Sequence, residues 1–204
     1  MKARENPFRT ANVLRVRYRT RDETPDELLM RLRRLGYRGA IVGPNGTGKT
    51  TLLEDLEQPL AALGFNVKHL RLDDRTAAFP RGFLKRFLAE VTGGDVILFD
   101  GAELMSRLAW QRFKLRSRNA GGLVITSHLT GMLPTVKRCA TSPELLTEII
   151  FELLGTEADI NWEVSAALYR KHSGNLRDAL REMYDLYADM EMTHGGISKD
   201  HLHG

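Results

Sequence analysis

A lysine and a threonine follow a glycine-rich run, a combination that suits the binding of a polyphosphate. Residues 43–50 read Gly-Pro-Asn-Gly-Thr-Gly-Lys-Thr, the G-x-x-x-x-G-K-[ST] spacing of a phosphate-binding loop. Glycines permit positive φ angles, so successive backbone N–H groups can point at one anion. Lys49 is expected to contact the β- and γ-phosphates, and the Thr50 hydroxyl to ligate Mg²⁺. The motif therefore predicts ATP and Mg²⁺ as cofactors. The predicted nucleotide-binding residues are Gly43, Pro44, Asn45, Gly46, Thr47, Gly48, Lys49, Thr50 and Thr51.

The elements on either side of this loop match the way such a loop is held. Ala40, Ile41 and Val42 form an apolar run that suits a buried strand, and a helical pattern begins at Thr51. The N-terminus of that helix carries a partial positive charge, which favours a bound phosphate. Strand, loop and helix thus occur in the order that a nucleotide site requires.

A second candidate group follows the apolar run 95–99 (DVILF). Asp100 ends this run, and continuous apolarity predicts a parallel strand covered on both faces. Open α/β sheets hold their ligands at the carboxyl ends of the strands, so Asp100 is predicted to hold Mg²⁺ together with Thr50. The strand predicted for residues 123–126 delivers Thr126, Ser127 and His128 to the same edge.

Composition places the chain among globular proteins. Of its 204 residues, 42% are hydrophobic and 27% charged, which is enough to build a sizeable core. Its single cysteine excludes an internal disulfide framework. No apolar run approaches the roughly 20 residues of a membrane span, and the first residues lack the apolar core of a signal peptide. We expect a cytoplasmic location without membrane association.

The pattern of elements predicts an α/β fold in which a parallel sheet flanked by helices precedes a small C-terminal helical lid. Residues 1–37 are interpreted as a basic arm and helix, 38–142 as the nucleotide-binding core, and 143–204 as the lid with a flexible tail. Residues 1–40 hold 11 Lys/Arg against 5 Asp/Glu, although the net charge of the whole chain is only +4. Such asymmetry is typical of a nucleic-acid or acidic partner, and equally of a solvated arm.

With both halves considered, the chain resembles the AAA+ branch of the P-loop ATPases over residues 38–190. The most specific element outside the loop is 174–180 (GNLRDAL), which is similar to the sensor 2 segment of ATPases that act on DNA, such as replication initiators and clamp loaders. In that family the arginine projects from the lid onto the γ-phosphate, so the resemblance implies this role for Arg177. It also implies that Thr126 is sensor 1, which positions the attacking water, with Ser127 or His128 as alternatives.

The resemblance is broken at the residue after Asp100. Hydrolytic AAA+ proteins usually have a glutamate there to activate water, whereas this chain has Gly101 and its next acid is Glu103. Glu103 is therefore a candidate base, or alternatively caps its own helix. The predicted catalytic residues are Lys49, Asp100, Glu103, Thr126 and Arg177.

Three functions remain open from the sequence. The first is a slow ATPase that couples ATP to a macromolecular partner, either nucleic acid or protein, because residues 104–118 carry a basic side with Arg107, Arg112 and Arg116. The second is a P-loop kinase for a small molecule, and the third is a nucleotide switch that does not hydrolyse. The family implies an arginine finger from a neighbouring subunit near Lys137 and Arg138, hence a homo-oligomer, or a monomer if no finger is used.

Overall fold

The computed structural model describes residues 6–8, 12, 25–73, 76, 78–155 and 162–194. The chain divides into two compact units: Tyr18–Ala140 is one, and Met1–Arg17 together with Thr141–Gly204 is the other. The edge strand suggested by the alternation of residues 13–19, and the tail after residue 194, lie outside the described residues. No helix in the described ranges has the length and apolarity that crossing a membrane would require.

The first unit is built on a sheet whose neighbouring strands are all parallel. The strands are β1 (Arg38–Val42), β2 (Asn66–Arg71), β3 (Asp95–Asp100), β4 (Gly122–Ser127) and β5 (Thr135–Arg138). In space they follow the order β2-β3-β4-β1-β5. The predicted α/β fold with a parallel sheet flanked by helices is confirmed. The inner strands β3 and β4 are buried almost throughout, which explains their unbroken apolar runs.

Helices cover both faces of this sheet. The α-helices described for this unit are α1 (Pro25–Arg34), α2 (Lys49–Asp55), α3 (Glu57–Ala62), α4 (Phe83–Ala89) and α5 (Arg107–Arg116). Alternate residues of β3 divide between the two faces: Val96 and Leu98 pack with α1, α2 and α3, whereas Ile97 and Phe99 pack with α4 and α5. Helix α1 thus shares a core with the sheet.

The helix after the phosphate loop is divided, as Pro59 predicts. Helix α2 ends at Asp55, Leu56 connects it to α3, and α3 begins at Glu57. Pro59 then falls in the first turn of α3, where a backbone N–H has no partner within the helix. Because of this break, Pro59 removes no hydrogen bond from either helix.

Two helices on the other face are shorter than their apolar patterns suggest. The pattern predicts a helix over 80–91, but α4 begins only at Phe83, after Gly82 with φ of 77°. The pattern also predicts a helix over 104–118, but α5 begins only at Arg107. The Ser106 hydroxyl accepts a hydrogen bond from the Ala109 N–H at 3.3 Å and caps the helix there. Short 3₁₀ turns, Ala102–Leu104 and Ser117–Asn119, lie on either side.

A buried carboxylate fixes the start of β3. Asp95 accepts hydrogen bonds from Asn66 at 2.6 Å and from both the backbone N–H and the hydroxyl of Thr92 at 2.6 and 2.8 Å. Burial by itself raises the pKa of Asp95, but these hydrogen bonds and the nearby Lys68 charge outweigh it, so the pKa lies below its ordinary value. The network joins the starts of β2 and β3.

The second unit is helical. Its described α-helices are α6 (Pro143–Leu154), α7 (Trp162–Lys171) and α8 (Leu176–His194). The Ser142 hydroxyl caps α6 by accepting from the Leu145 N–H at 3.2 Å, as the Ser-Pro pair predicts. Phe8 is 3% exposed in this core, and its ring lies 5.8 Å from that of Tyr187. From the sequence alone, Phe8 could contact a nucleotide base or anchor the N-terminal arm, and its place in the helical core matches the anchor.

Candidate nucleotide-binding site

The phosphate-loop residues form a tight turn between β1 and α2. Gly46 and Gly48 have φ angles of 73° and 79°, a region that side chains other than glycine rarely adopt. At Gly43 the restriction is steric, since a Cβ there would lie 2.5 Å from the Cys139 carbonyl oxygen. The glycines of the motif are thus required by the shape of this turn.

Lys49 is directed into the loop. Its Nζ donates to the Pro44 carbonyl at 2.7 Å, and the Thr47 hydroxyl donates to the same oxygen at 2.9 Å. The Lys49 residue is only 8% exposed. The positive charge is therefore held inside the turn, where a phosphate would replace the carbonyl as its partner.

The predicted metal-binding residues lie together at the carboxyl edge of the sheet. The Thr50 Oγ1 lies 3.2 and 3.1 Å from the two carboxylate oxygens of Asp100. Thr50 is the second residue of α2 and Asp100 the last of β3, so the loop helix and an inner strand bring them into contact. Residues 50 positions apart in sequence thus form one oxygen-rich group.

Thr126 supports Asp100 directly. Its hydroxyl donates to Asp100 Oδ1 at 2.6 Å and accepts from the Gly101 N–H at 2.9 Å. The Ser127 hydroxyl is also engaged, because it accepts from the Leu129 N–H at 2.9 Å. Of the three polar residues at the end of β4, Thr126 therefore orients the carboxylate, and His128 is the one that reaches the next acid.

The backbone at position 101 explains why a glycine, and not a glutamate, follows Asp100. Its φ angle is 80°, and a Cβ at this position would lie 2.3 Å from the Leu72 carbonyl oxygen. Both the backbone conformation and the close approach of the segment after β2 exclude a longer side chain. A glutamate at position 101 is therefore incompatible with this backbone.

Gly101→Ala is expected to destabilise the protein by about 2–4 kcal/mol, the sum of left-handed strain and a backbone clash. Gly64→Ala is a matched control, because Gly64 has φ of 89° but no atom lies within 4 Å of the position that a Cβ would occupy. It should lose only about 1–2 kcal/mol, for the strain alone. Urea unfolding of both variants measures the difference, and equal losses would contradict the clash.

Glu103 lies beside His128 and retains an unused oxygen. Its Oε1 is 3.2 Å from His128 Nε2, and its side chain is 13% exposed. Its Oε2 is buried and has no hydrogen-bond partner in the described part of the chain. A buried carboxylate oxygen without a donor is costly, by roughly 1–3 kcal/mol. The contact with His128 was not expected from the sequence, because the two residues follow different strands and no local pattern relates them.

Arg71 is a further residue that the sequence analysis missed. It ends β2, pairs in register with Asp100, and its Nε lies 3.7 Å from Asp100 Oδ2. The sequence does contain a sign of this contact, because a basic residue ends β2 and an acidic residue ends the next strand, β3. Arg71 places a positive charge at the same edge.

Arg177 belongs to the second unit. It lies in the first turn of α8, its side chain is exposed, and its backbone N–H donates to the Asn175 side-chain oxygen at 3.2 Å. Asn175 therefore caps this helix, which explains the asparagine of the GNLRDAL segment.

The connection in which AAA+ proteins carry an arginine finger is short here. Residues 128–134 link β4 to β5, contain no helix and include neither lysine nor arginine. Lys137 and Arg138 lie beyond it, within β5. A finger at the family position is therefore absent from this segment.

Comparisons with known proteins bear on the fold. Neither the family models nor the curated proteins include a match to the sequence. Among solved structures, the RuvB Holliday junction branch migration motor of Thermotoga maritima matches with a TM-score of 0.58 at 18% identity, over 90% of this chain and 68% of that one. The chain therefore shares the fold of RuvB. Two RuvB variants from the same organism match similarly: a threonine-to-valine variant with a TM-score of 0.59 at 17% identity, covering 90% of this chain and 68% of that one, and a lysine-to-arginine variant with 0.56 at 17%, covering 86% and 64%.

Proposed function

We propose that this chain binds ATP with Mg²⁺ at residues 43–51 and hydrolyses it slowly. The observation that carries the proposal is the contact between Thr50 and Asp100 at 3.1–3.2 Å, at the end of a glycine turn that holds Lys49. A structural turn would need neither a buried lysine nor a hydroxyl–carboxylate pair. The three groups together suit a triphosphate and its metal.

The donor set fits Mg²⁺. Thr50 and Asp100 supply hard oxygen atoms, and Mg²⁺ typically takes only one or two protein ligands while keeping waters and phosphate oxygens. When bound, the ion would neutralise charge on the phosphates. Thr126 would hold the Asp100 carboxylate in one orientation, since its hydroxyl bonds one of the two oxygens.

We assign the role of general base to Glu103. Its buried Oε2 has no hydrogen-bond partner among the described residues, and a water molecule would provide the missing donor. His128 contacts the other oxygen, Oε1, so the carboxylate is held in one orientation. His128 is thus a positioning residue.

The macromolecular partner proposed here is nucleic acid. RuvB is a Holliday junction branch migration motor. This chain shares the RuvB fold at 18% identity over 68% of the RuvB chain. Independent support comes from the basic charges on α5, of which the structure leaves Arg107, Arg112 and Arg116 exposed.

The experiment that tests the function measures ATP binding and phosphate release together. Calorimetry with ATP, with and without Mg²⁺, should detect binding that strengthens when the metal is present. A phosphate-release assay should then show slow free phosphate. Absence of binding would overturn the proposal, and ATP consumption without free phosphate would indicate a kinase.

We also propose that Arg177 contacts the γ-phosphate, on the strength of the GNLRDAL segment. Arg177→Ala should lower turnover by about 10- to 100-fold through lost stabilisation of transition-state charge, with little change in melting temperature. Arg181→Ala is the matched control, since Arg181 is exposed one turn later on α8. Equal turnover in both variants would remove Arg177 from the site.

A further inference from the structure

We propose that α4 and α5, with the residues just before α4 and just after α5, form a surface that binds the phosphate backbone of duplex DNA. We call this surface the α4–α5 face. The inference rests on the proposed nucleic-acid partner and assigns it a place on the molecule.

Both helices pack on the same side of the sheet. Phe87 of α4 and Phe113 of α5 belong to one core cluster with Phe99 of β3. The Phe99 and Phe113 rings are 5.4 Å apart, and the Phe83 and Phe87 rings are stacked at 6.1 Å. With their aromatic sides turned inward, the helices direct their remaining positions to solvent.

The outward positions carry charge of a single sign. From residue 81 to 89 and from 104 to 119 no aspartate or glutamate occurs, and Glu90 is the one acid directly beside α4. The basic residues of the α4–α5 face are Arg81, Lys85, Arg86, Arg107, Arg112, Lys114, Arg116 and Arg118. None of them forms an ion pair with any residue that the structure describes.

The opposite side of the sheet is different. Helices α1 and α2 carry both signs and α3 carries only an acid, so acids occur in each of them: Asp26, Glu27, Glu54, Asp55 and Glu57. Arg33 and Arg34 are exposed there on α1. Because the net charge of the chain is only +4, the one-signed α4–α5 face is a local feature.

Duplex DNA is complementary to this face in the sign of its charge. The ten residues of α5 span about 15 Å, and B-DNA carries one phosphate charge per about 1.7 Å of its axis. Leu108 and Leu115, which are 61% and 57% exposed, would instead suit an acidic protein helix. DNA is favoured because the basic residues extend over both helices, whereas these leucines lie on α5 only.

The test uses fluorescence anisotropy with a labelled 30-base-pair duplex, without nucleotide, from 50 to 300 mM salt. If half of the basic residues each meet one phosphate, the slope of log affinity against log salt is about −4. Arg112→Glu/Arg116→Glu should reduce the slope to about −2 and raise the dissociation constant by about 50-fold at 0.1 M salt. The control Arg33→Glu/Arg34→Glu makes the same charge change on α1 and should bind within about threefold of the parent chain.

Two results would overturn the proposal: no duplex binding by the parent chain at 50 mM salt, or equal losses in the α5 and α1 variants. Leu108→Ser/Leu115→Ser separates DNA from a protein partner. Unchanged duplex binding in that variant supports backbone contacts, whereas a loss as large as that of the arginine pair would contradict them.

The outcome is independent of ATP binding. Arg112→Glu/Arg116→Glu should bind MgATP as the parent chain does in calorimetry and should melt within a few degrees of it. Failure of the parent chain to bind ATP would refute the proposed function but leave a measured duplex affinity standing. Loss of both ligands in the variant would count against a separate face.

Discussion

Lys49→Ala is expected to raise the dissociation constant for MgATP by about 100-fold, which corresponds to roughly 2.7 kcal/mol. The Lys49 Nζ lies 2.7 Å from the Pro44 carbonyl and the residue is 8% exposed, so its charge acts in a largely desolvated turn. Charge-assisted hydrogen bonds to phosphate are about twice as strong as neutral ones. Removal of the ammonium also leaves the β- and γ-phosphates without their closest protein cation.

Calorimetry with MgATP measures this effect. Lys85→Ala is the control, because it removes an exposed lysine from α4 without touching the glycine turn. Its affinity for MgATP should stay within about twofold of that of the parent chain. Undiminished affinity in Lys49→Ala would show that the turn does not hold a triphosphate.

Glu103→Gln should lower the turnover number by about 10²- to 10⁴-fold, the range typical of a lost general base. The amide keeps the size of the side chain and its contact with His128, so the change is one of proton affinity. The KM or dissociation constant for MgATP should change by less than about threefold, since binding rests on Lys49 and Thr50. A single-turnover assay separates the two effects.

Glu90→Gln provides the isosteric control at an exposed acid beside α4. His128→Ala should lower the turnover number less than Glu103→Gln does, and His128→Gln should restore part of it by again donating to Oε1. If Glu103→Gln turned over as fast as the parent chain, Glu103 would not be the base. Negligible turnover in both would favour the nucleotide switch.

The strands and their polar ends could be predicted from the sequence because each depends on local pattern. The apolar run that ends at Asp100 predicts a strand covered on both faces, and Lys49 and Thr50 follow from motif spacing. Once parallel strands are accepted, their carboxyl ends must share an edge. The proximity of Thr50 to Asp100 was therefore a consequence of topology.

Other features depend on distances that no periodicity encodes. The contact of Glu103 with His128 is set by two irregular segments that follow β3 and β4. The need for glycine at 101 arises from the Leu72 carbonyl, which belongs to a segment 29 positions earlier. Helix ends at α4 and α5 were misplaced because Gly82 and Ser106 act through backbone geometry that apolar spacing does not contain.

The Thr126 hydroxyl connects the ends of the adjacent strands β3 and β4, since it bonds both the Asp100 carboxylate on β3 and the amide of Gly101. Rotation of that carboxylate away from its place would break the first of these bonds, and sliding of β4 past β3 would break both. The alignment of β4 with β3 therefore helps to hold the Asp100 carboxylate in one position. Shear between these two strands would therefore displace the Asp100 carboxylate, the ligand proposed for Mg²⁺.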